Sequence, residues 1–235
     1  MSKAIPTGPY VTFLKEHSGF TAARLYLIEV AKFSISEPES EINKANEVLM
    51  KVLGNDYKNS RNYFTSRLFI TYIAGFEIFL QETVAMVIKK NPKRIGSIKF
   101  SMTDILDSVN TDQLIERAIQ EYLNTLMYKR PSEYLSEICD VLGINKATVE
   151  CNWEIFIEAK ARRDLGVHNA WKCNDIYIRK IKDSGKNSSL TLGENAVPQD
   201  DDYLKSVVKA IYSLSQDISR EVYKKHWPSV TFLNK

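Results

Sequence analysis

The chain has 235 residues and a mass of 27.0 kDa, and 44% of its residues are hydrophobic while 26% are charged. This composition excludes intrinsic disorder, collagen-like repeats and a small disulfide scaffold. Only 9 glycines and 7 prolines are present, too few for turn-dense β folds, so the composition favours helices. The formal charge of +3 is too small to indicate a nucleic-acid partner, and such an argument must come from local clusters.

The cysteines and the apolar runs of the sequence indicate the cellular compartment of the protein. The 3 cysteines, Cys139, Cys151 and Cys173, show no Cys-x-x-Cys spacing, which predicts reduced thiols in a cytoplasmic protein. Residues 1–13 lack the apolar run and cleavage site of a signal peptide. Polar residues interrupt the longest apolar stretch, residues 68–80, so no contact with a membrane is predicted.

The N-terminal part of the chain predicts two helices. The first begins after Gly19 and ends near Pro38, because proline cannot continue a helix. Ser40 can cap the second helix, which stops at Gly54. The apolar face of this second helix comprises Ile42, Ala45, Val48, Leu49 and Val52.

A long apolar segment, residues 59–90, is predicted to be the central helix, because apolar side chains recur along it at three- and four-residue steps. A break follows at residues 91–101, and a short turn at residues 103–108. Three further helices are then predicted: one with Leu114, Ala118, Tyr122 and Leu126 on one side, one from Pro131 to Gly143, and one from residue 145 to about residue 170.

Residues 174–200 are predicted to form a small β-hairpin, because apolar and polar residues alternate from Ile176 to Leu192 around a Ser-Gly pair. The acidic residues 200–202 then open a last amphipathic helix, which ends in the basic residues 224–226.

No repeat and no flexible linker divides the sequence. The fold class predicted is therefore all-α, with one helical domain over residues 1–235. We expect its core to cover residues 59–226 and its first residues, 1–58, to add an N-terminal helical extension.

Chemistry-bearing residues concentrate in one string. No phosphate-binding glycine loop, Gly-x-Ser-x-Gly elbow, His-Glu-x-x-His or Asp-x-Asp cluster occurs in the sequence, so no metal and no cofactor is predicted. The string KARRDLGVHNAW, residues 160–171, brings a histidine, two arginines, an aspartate and an amide close together. Its polar members are Lys160, Arg162, Arg163, Asp164, His168 and Asn169.

This string resembles the signature of the HEPN superfamily, in which an arginine, a polar residue, three further positions and a histidine end the third helix of a small helical bundle. The matching residues are Arg163, Asp164, residues 165–167 and His168, and Asn169 follows as in many members. The segment AGFEIFL, residues 74–80, resembles more weakly the glutamate-bearing long helix of families related to RiboL-PSP-HEPN. The resemblance implies a HEPN-type helical bundle.

The activity that the resemblance implies is that of a metal-independent endoribonuclease, and the residue chemistry agrees with it. Histidine ordinarily titrates near neutral pH, so His168 can move a proton at a ribose 2′-hydroxyl or at a leaving 5′-oxygen. Arg163 presents a planar cationic fork that fits a phosphate, and Asp164 belongs to the same catalytic set. The products would carry a 2′,3′-cyclic phosphate and a 5′-hydroxyl.

Helix geometry constrains how such a site can form. Residues five apart on a helix are separated by about 140° and about 7.5 Å of rise, so Arg163 and His168 of one chain do not converge on one atom. The resemblance implies a homodimer in which two copies of the motif face each other across a composite cleft. Gly166 can admit a closely approaching backbone there, or it can simply mark the helix terminus.

The resemblance also implies RNA as the substrate, a toxin or an anti-phage effector as the biological setting, and an antitoxin or other regulatory protein as a partner. Two other functions stay open. One is a HEPN-like module that binds nucleic acid, nucleotide or protein without cleaving it. The other is a helical interaction protein in which the string is an ordinary polar helix end.

Three neighbours of the motif leave alternatives open. Asp164 can orient His168, or it can form an ion pair with Lys160 one turn earlier. Arg162 is the alternative phosphate ligand. Asn169 can bond the phosphate, or it can cap the helix end.

Two basic stretches are candidates for RNA contact, the alternative being ordinary solvated surface. One lies in the predicted hairpin and comprises Arg179, Lys180, Lys182 and Lys186. The other comprises Lys89, Lys90, Lys93, Arg94 and Lys99. Within the motif, Arg162, Asn169 and Lys160 are predicted to contact RNA as well.

Overall fold

The computed structural model of the protein describes residues 8–54, 57–96, 108 and 110–228. Within these ranges the chain forms eight α-helices and a short 3-10 helix at Pro92–Ile95, which confirms the all-α prediction. The α-helices are α1 (Pro9–Ser36), α2 (Glu41–Leu53), α3 (Ser60–Lys90), α4 (Thr111–Met127), α5 (Pro131–Leu142), α6 (Lys146–His168), α7 (Asp175–Asp183) and α8 (Asp201–His226).

Helix α3 forms the centre of the fold, as predicted. Its side chains Phe69, Ile73, Phe76 and Leu80 are completely shielded from solvent, and α1, α5, α6 and α8 all pack against it. The helix is long and apolar enough to cross a membrane, yet half of its most apolar stretch is buried inside the fold. Its composition is therefore that of a core helix.

Helix α1 begins at Pro9, well before the predicted start after Gly19. Proline suits the first turn of a helix, and the following turn buries Phe13, whose ring lies 5.5 Å from the rings of Phe76 and Phe79. Gly19 has open space around its missing side chain and does not break the helix. Burial of the aromatic ring against α3 thus overrides the low helix propensity of glycine.

Several predicted helix ends are confirmed, because each depends on local chemistry. The Ser40 hydroxyl accepts the N–H of Asn43 at the start of α2, and Gly54 ends that helix with a φ of 60°. Gly143 ends α5 in the left-handed conformation, and Asp200 caps α8. The turn predicted at residues 103–108 falls outside the described residues except for its last position.

The predicted β-hairpin is wrong, because its first half is helix α7. The Asn174 side chain accepts the N–H of Tyr177 at 2.9 Å and so caps this helix. Tyr177 and Ile181, four residues apart, are buried against α6. A four-residue spacing is typical of a helix, but it also fits an alternating pattern in which every second residue is apolar. In the described part of the chain, extended pairing is limited to one antiparallel bridge between Lys172 and Asn195.

Candidate functional site

Helix α6 carries the motif, and hydrogen bonds at both ends fix its length. Asn145 accepts the N–H of Ala147 at 3.0 Å and starts the helix. At the other end the N–H groups of Asn169 and Trp171 both donate to the carbonyl of Leu165, at 2.9 and 3.0 Å. This bifurcated cap makes His168 the last residue of α6.

A tight turn follows His168. Ala170 and Trp171 have φ values of 45° and 61°, and among the described residues they are the non-glycine positions with positive φ. A left-handed conformation costs such residues about 1–2 kcal/mol each, so the surrounding contacts must hold the turn in place. One of these contacts is the Asn169 amide, which donates to the carbonyl of Lys172 at 2.6 Å. In this structure the Asn169 side chain therefore stabilises the turn at the end of α6.

The indole of Trp171 folds back onto α6. Its side chain is buried, and its ring carbons occupy the space in which a Cβ on residue 166 would lie. Gly166 therefore does admit a close approach, but the approaching group is an indole of the same chain. The N–H of this indole is buried without a hydrogen-bond partner among the described residues.

Glu77 of α3 binds the motif helix through two ion pairs. One carboxylate oxygen accepts from the ammonium of Lys160, and the other accepts from the guanidinium of Arg163. Glu77 is 6% exposed, so these pairs form where solvent screens little. Burial lowers the pKa of Lys160. The central helix thus fixes the arginine of the motif.

Asp164 pairs with two cations, Arg163 and Lys180. Its carboxylate lies 3.2 Å from Nη1 of Arg163 and accepts a hydrogen bond from Nζ of Lys180 at 3.0 Å. The alternative ion pair with Lys160 does not form, because that ammonium pairs with Glu77, and Asp164 makes no hydrogen bond with His168 among the described residues. Glu77, Lys160, Arg163, Asp164 and Lys180 together form what we call the motif cluster, with three cations against two carboxylates.

Arg162 belongs to a different network on the neighbouring face of α6. Its Nε donates to Glu158 at 2.8 Å, and its guanidinium lies 4.3 Å from the ring centre of Tyr203. The hydroxyls of Tyr177 and Tyr203 donate to the same glutamate at 2.7 and 2.6 Å, and burial is the main cause that raises the pKa of both phenols. This network joins α7 and α8 to α6, which makes Arg162 a structural residue.

His168 stands apart from both networks. Its side chain is exposed, and it forms no hydrogen bond or ion pair with any other residue that the structure describes. The preceding residue, Val167, is 48% exposed. The motif therefore ends in an imidazole open to solvent beside a small apolar surface.

The basic residues predicted for the hairpin lie on α7 instead. Lys180 is committed to Asp164, and Lys186, just past the helix, pairs with Glu154. Arg179 and Lys182 are exposed and make no ion pair within the described ranges. These two cations of α7 are therefore open to solvent.

The other basic stretch is largely used inside the fold. Arg94 donates to the carbonyls of Asp140 and Val141 at 3.1 and 3.0 Å, which places a cation at the C-terminal end of α5, where the helix dipole favours it. Lys90 donates to the carbonyl of His226. Lys89 pairs with Glu116. Residue 99 lies outside the described ranges.

The described side chains contain no group of three or more His, Cys, Asp or Glu arranged to hold a metal ion. Comparison of the chain with family models, with curated proteins and with solved structures gave no match.

Two acidic residues that shape this region were not predicted as site residues, although Glu77 is the glutamate of the segment AGFEIFL. Glu77 and Glu158 hold Arg163 and Arg162 respectively. The available signal for Glu77 was a lone carboxylate in an otherwise apolar stretch of α3, which needs a cation partner if it is buried. For Glu158 the signal was an arginine four residues later on the same helix.

Proposed function

We propose that the protein is a metal-independent endoribonuclease of the HEPN type, acting on RNA as a homodimer in the cytoplasm. The observation that carries the proposal is the placement of His168. It is the exposed last residue of α6, and among the described residues it has no partner. Both ring nitrogens are therefore available for proton transfer to or from a bound substrate.

Arg163 supplies the contact with the scissile phosphate. Its two terminal nitrogens face Glu77 and Asp164, and its Nε is buried without a hydrogen-bond partner among the described residues. Each terminal nitrogen carries a second N–H, and these are the donors left for a phosphate. The motif cluster carries one net positive charge, and Arg179 and Lys182 add two exposed cations on α7. This balance favours an anionic polymer.

The reaction follows from these two groups. One histidine removes the proton of the 2′-hydroxyl, and the 2′-oxygen attacks the adjacent phosphorus. The bond from phosphorus to the 5′-oxygen breaks, and a second histidine gives that oxygen its proton. Arg163 offsets the charge that develops on the non-bridging oxygens. The products are a 2′,3′-cyclic phosphate and a 5′-hydroxyl, and the step needs no metal.

Two histidines require two copies of the chain, because each copy offers one at the end of α6. The five-residue spacing also keeps Arg163 and His168 about 140° apart around the helix axis. Packing two α6 ends across a two-fold axis lets the arginine of one copy and the histidine of the other reach the same phosphate. The exposed Val167 offers an apolar contact for this packing.

One observation favours a second function, a module that binds RNA or a nucleotide without cleaving it. The Arg163 side chain is 16% exposed and lies against two carboxylates. A guanidinium that is neutralised in this way stabilises a transition state less than a free one does. In this case the exposed cations bind the ligand and no bond is broken.

Cleavage of a mixed RNA substrate in EDTA tests the proposal. Purified wild type is compared with Arg163→Ala and His168→Ala. Arg220→Ala is the control, because Arg220 is an exposed arginine on α8 that pairs with Asp217, three residues earlier. We expect the two motif variants to lose at least about 100-fold in rate and the control to keep full activity.

The other outcomes are equally informative. Binding without cleavage by wild type supports the module. Equal cleavage by wild type and the His168→Ala variant contradicts the enzyme proposal, as does cleavage that EDTA abolishes.

A further inference from the structure

The C-terminal end of α5 is covered by basic side chains from two other parts of the chain. Arg94, in the 3-10 helix, donates to the carbonyls of two successive residues of α5 at 3.1 and 3.0 Å. Lys225, near the end of α8, donates to the carbonyl of Gly143 at 2.6 Å. Nε2 of the neighbouring His226 lies 2.8 Å from the carbonyl that precedes Gly143. Each carbonyl of residues 140–143 thus contacts a basic side chain.

These basic groups keep most of their positive charge. Lys90 of α3 joins them, because it donates to the carbonyl of His226, and we call Lys90, Arg94, Lys225 and His226 the α5 cap cluster. The three permanent cations of the cluster bond to backbone carbonyls and form no ion pair with any carboxylate in the described ranges. A carbonyl is neutral, and a helix dipole offsets only part of a unit charge. The cluster therefore lacks a counter-charge within the described chain.

Two of these cations are held close together. A Cβ placed on Gly143 would lie 2.5 Å from Nζ of Lys225 and 2.9 Å from Nη1 of Arg94, so the two nitrogens are at most about 5.4 Å apart. Like charges at such a distance repel each other. The same charges act on His226, whose pKa is lowered mainly by burial and further by the three cations of the cluster. An anion among these cations would relieve the repulsion.

Hydrogen-bond donors remain for such an anion. Nη1 of Arg94 uses both of its N–H groups on carbonyls, and Nε is buried without a partner in the described chain, which leaves the two N–H groups of Nη2. Lys90 and Lys225 are exposed, and each uses one of three ammonium donors on a carbonyl. A phosphate group has several acceptor oxygens and can carry two negative charges, so it can contact more than one of these cations at once.

We propose that the α5 cap cluster is a binding site for a phosphate group, supplied either as free phosphate or by a nucleic-acid chain. Arg94 and Lys225 contact the phosphate oxygens, and Lys90 adds a third positive charge. Gly143 lies just before α6 begins, whereas His168 ends that helix, and the 23 residues of α6 span about 35 Å. The site is therefore separate from the motif, and it does not depend on the enzymatic proposal.

Isothermal titration with inorganic phosphate at about pH 7.5 tests the proposal, with the ionic strength held constant by sodium chloride. Wild type should bind with a dissociation constant on the order of 1 mM. Lys225→Gln removes one charge but keeps an N–H donor for the carbonyl of Gly143, and it should bind phosphate about tenfold more weakly. Lys225→Arg keeps the charge and should bind within about threefold of wild type.

Lys209→Gln is the matched control, because Lys209 is another exposed lysine of α8 and makes no ion pair with a described residue. It lies about 24 Å before Lys225 along the helix. Both Gln variants lose the same charge, so a difference between them reports the position of the lysine and not the net charge. His168→Ala should bind phosphate as wild type does, whatever its effect on RNA cleavage. Circular dichroism checks that each variant keeps its helix content.

A deoxythymidine oligonucleotide separates the two sources of the phosphate group, because it lacks the 2′-hydroxyl that cleavage needs. Binding of the oligonucleotide that weakens in Lys225→Gln but not in Lys209→Gln supports a site for a nucleic-acid chain. Binding of inorganic phosphate alone, with the same dependence on Lys225, supports a site for free phosphate. The proposal is overturned if wild type binds neither probe, or if the two Gln variants behave alike toward both.

Discussion

The indole of Trp171 occupies the space beside Gly166 that any larger residue would need for its side chain. Overpacking in Gly166→Ala should therefore destabilise the protein by about 1–3 kcal/mol. The higher helix propensity of alanine should offset roughly 1 kcal/mol of this loss. Denaturant unfolding measures the difference. Gly19→Ala is the matched control, because Gly19 is also helical and nothing lies within 4 Å of its missing Cβ. That control should gain stability, and a gain in both variants would contradict the packing argument.

Removal of the Glu77 charge should weaken the attachment of α6 to α3. Glu77→Gln leaves Lys160 and Arg163 largely buried without their carboxylate, and breaking a buried pair in this way costs about 3–5 kcal/mol. Thermal or denaturant unfolding gives the magnitude. Glu82→Gln changes an exposed carboxylate on the same helix and should alter stability by less than about 0.5 kcal/mol. Equal effects of the two substitutions would mean that the ion pairs contribute nothing.

The turn after His168 offers a substitution that should raise the free energy of unfolding. Ala170 has a φ of 45°, a conformation that glycine adopts freely. Ala170→Gly should therefore stabilise the protein by about 0.5–1 kcal/mol, whereas the same change at an ordinary helical site is unfavourable by about that amount. Ala22→Gly, at an exposed helical position of α1, provides the comparison. Loss of stability in both variants would show that the left-handed turn does not cost free energy.

His17 should make stability depend on pH. Burial lowers its pKa, and its ring lies 3.0 Å from the hydroxyl of Tyr72 and 4.6 Å from the ring centre of Tyr212. The unfolded chain then takes up a proton at a higher pH than the folded chain does. The contribution of this residue is complete above about pH 6.5 and is lost as the pH falls below that value.

Unfolding free energies at several pH values between about 7.5 and 5.5 check this prediction. His17→Gln keeps a hydrogen-bonding side chain but removes the titration, so its stability should fall less steeply over this range than that of wild type. Parallel curves would exclude His17 as the source of the dependence.

The helices that follow from the sequence are those with local signals. Ser40, Pro131 and Gly143 fix their helix ends through contacts a few residues away, so a single sequence is enough to place them. Helix α7 was not predicted, because in so short a segment the spacing of the apolar residues fits both a helical and an alternating period. The Asn174 cap and the burial of Tyr177 against α6 are what favour the helix over the strand.

The same distinction applies to the candidate site. The position of His168 at the end of α6 depends on the local cap around Leu165 and could be predicted. The partner of Arg163 could not, because Glu77 is 86 residues away in the sequence. Periodicity carries no information about which two helices meet, so the sequence could not show that Glu77 would pair with Lys160 and leave Asp164 to other cations.

The attachment of the motif arginine to Glu77 has a consequence for how this chain can change. Glu77 lies between Phe76 and Ile78 on the helix that every other large element packs against, so the position of Arg163 is set by the same contacts that hold the core. Substitutions that loosen the core should displace the motif as well, and substitutions that free the arginine should lower the melting temperature. Few substitutions could then change the function of this protein without also changing its stability.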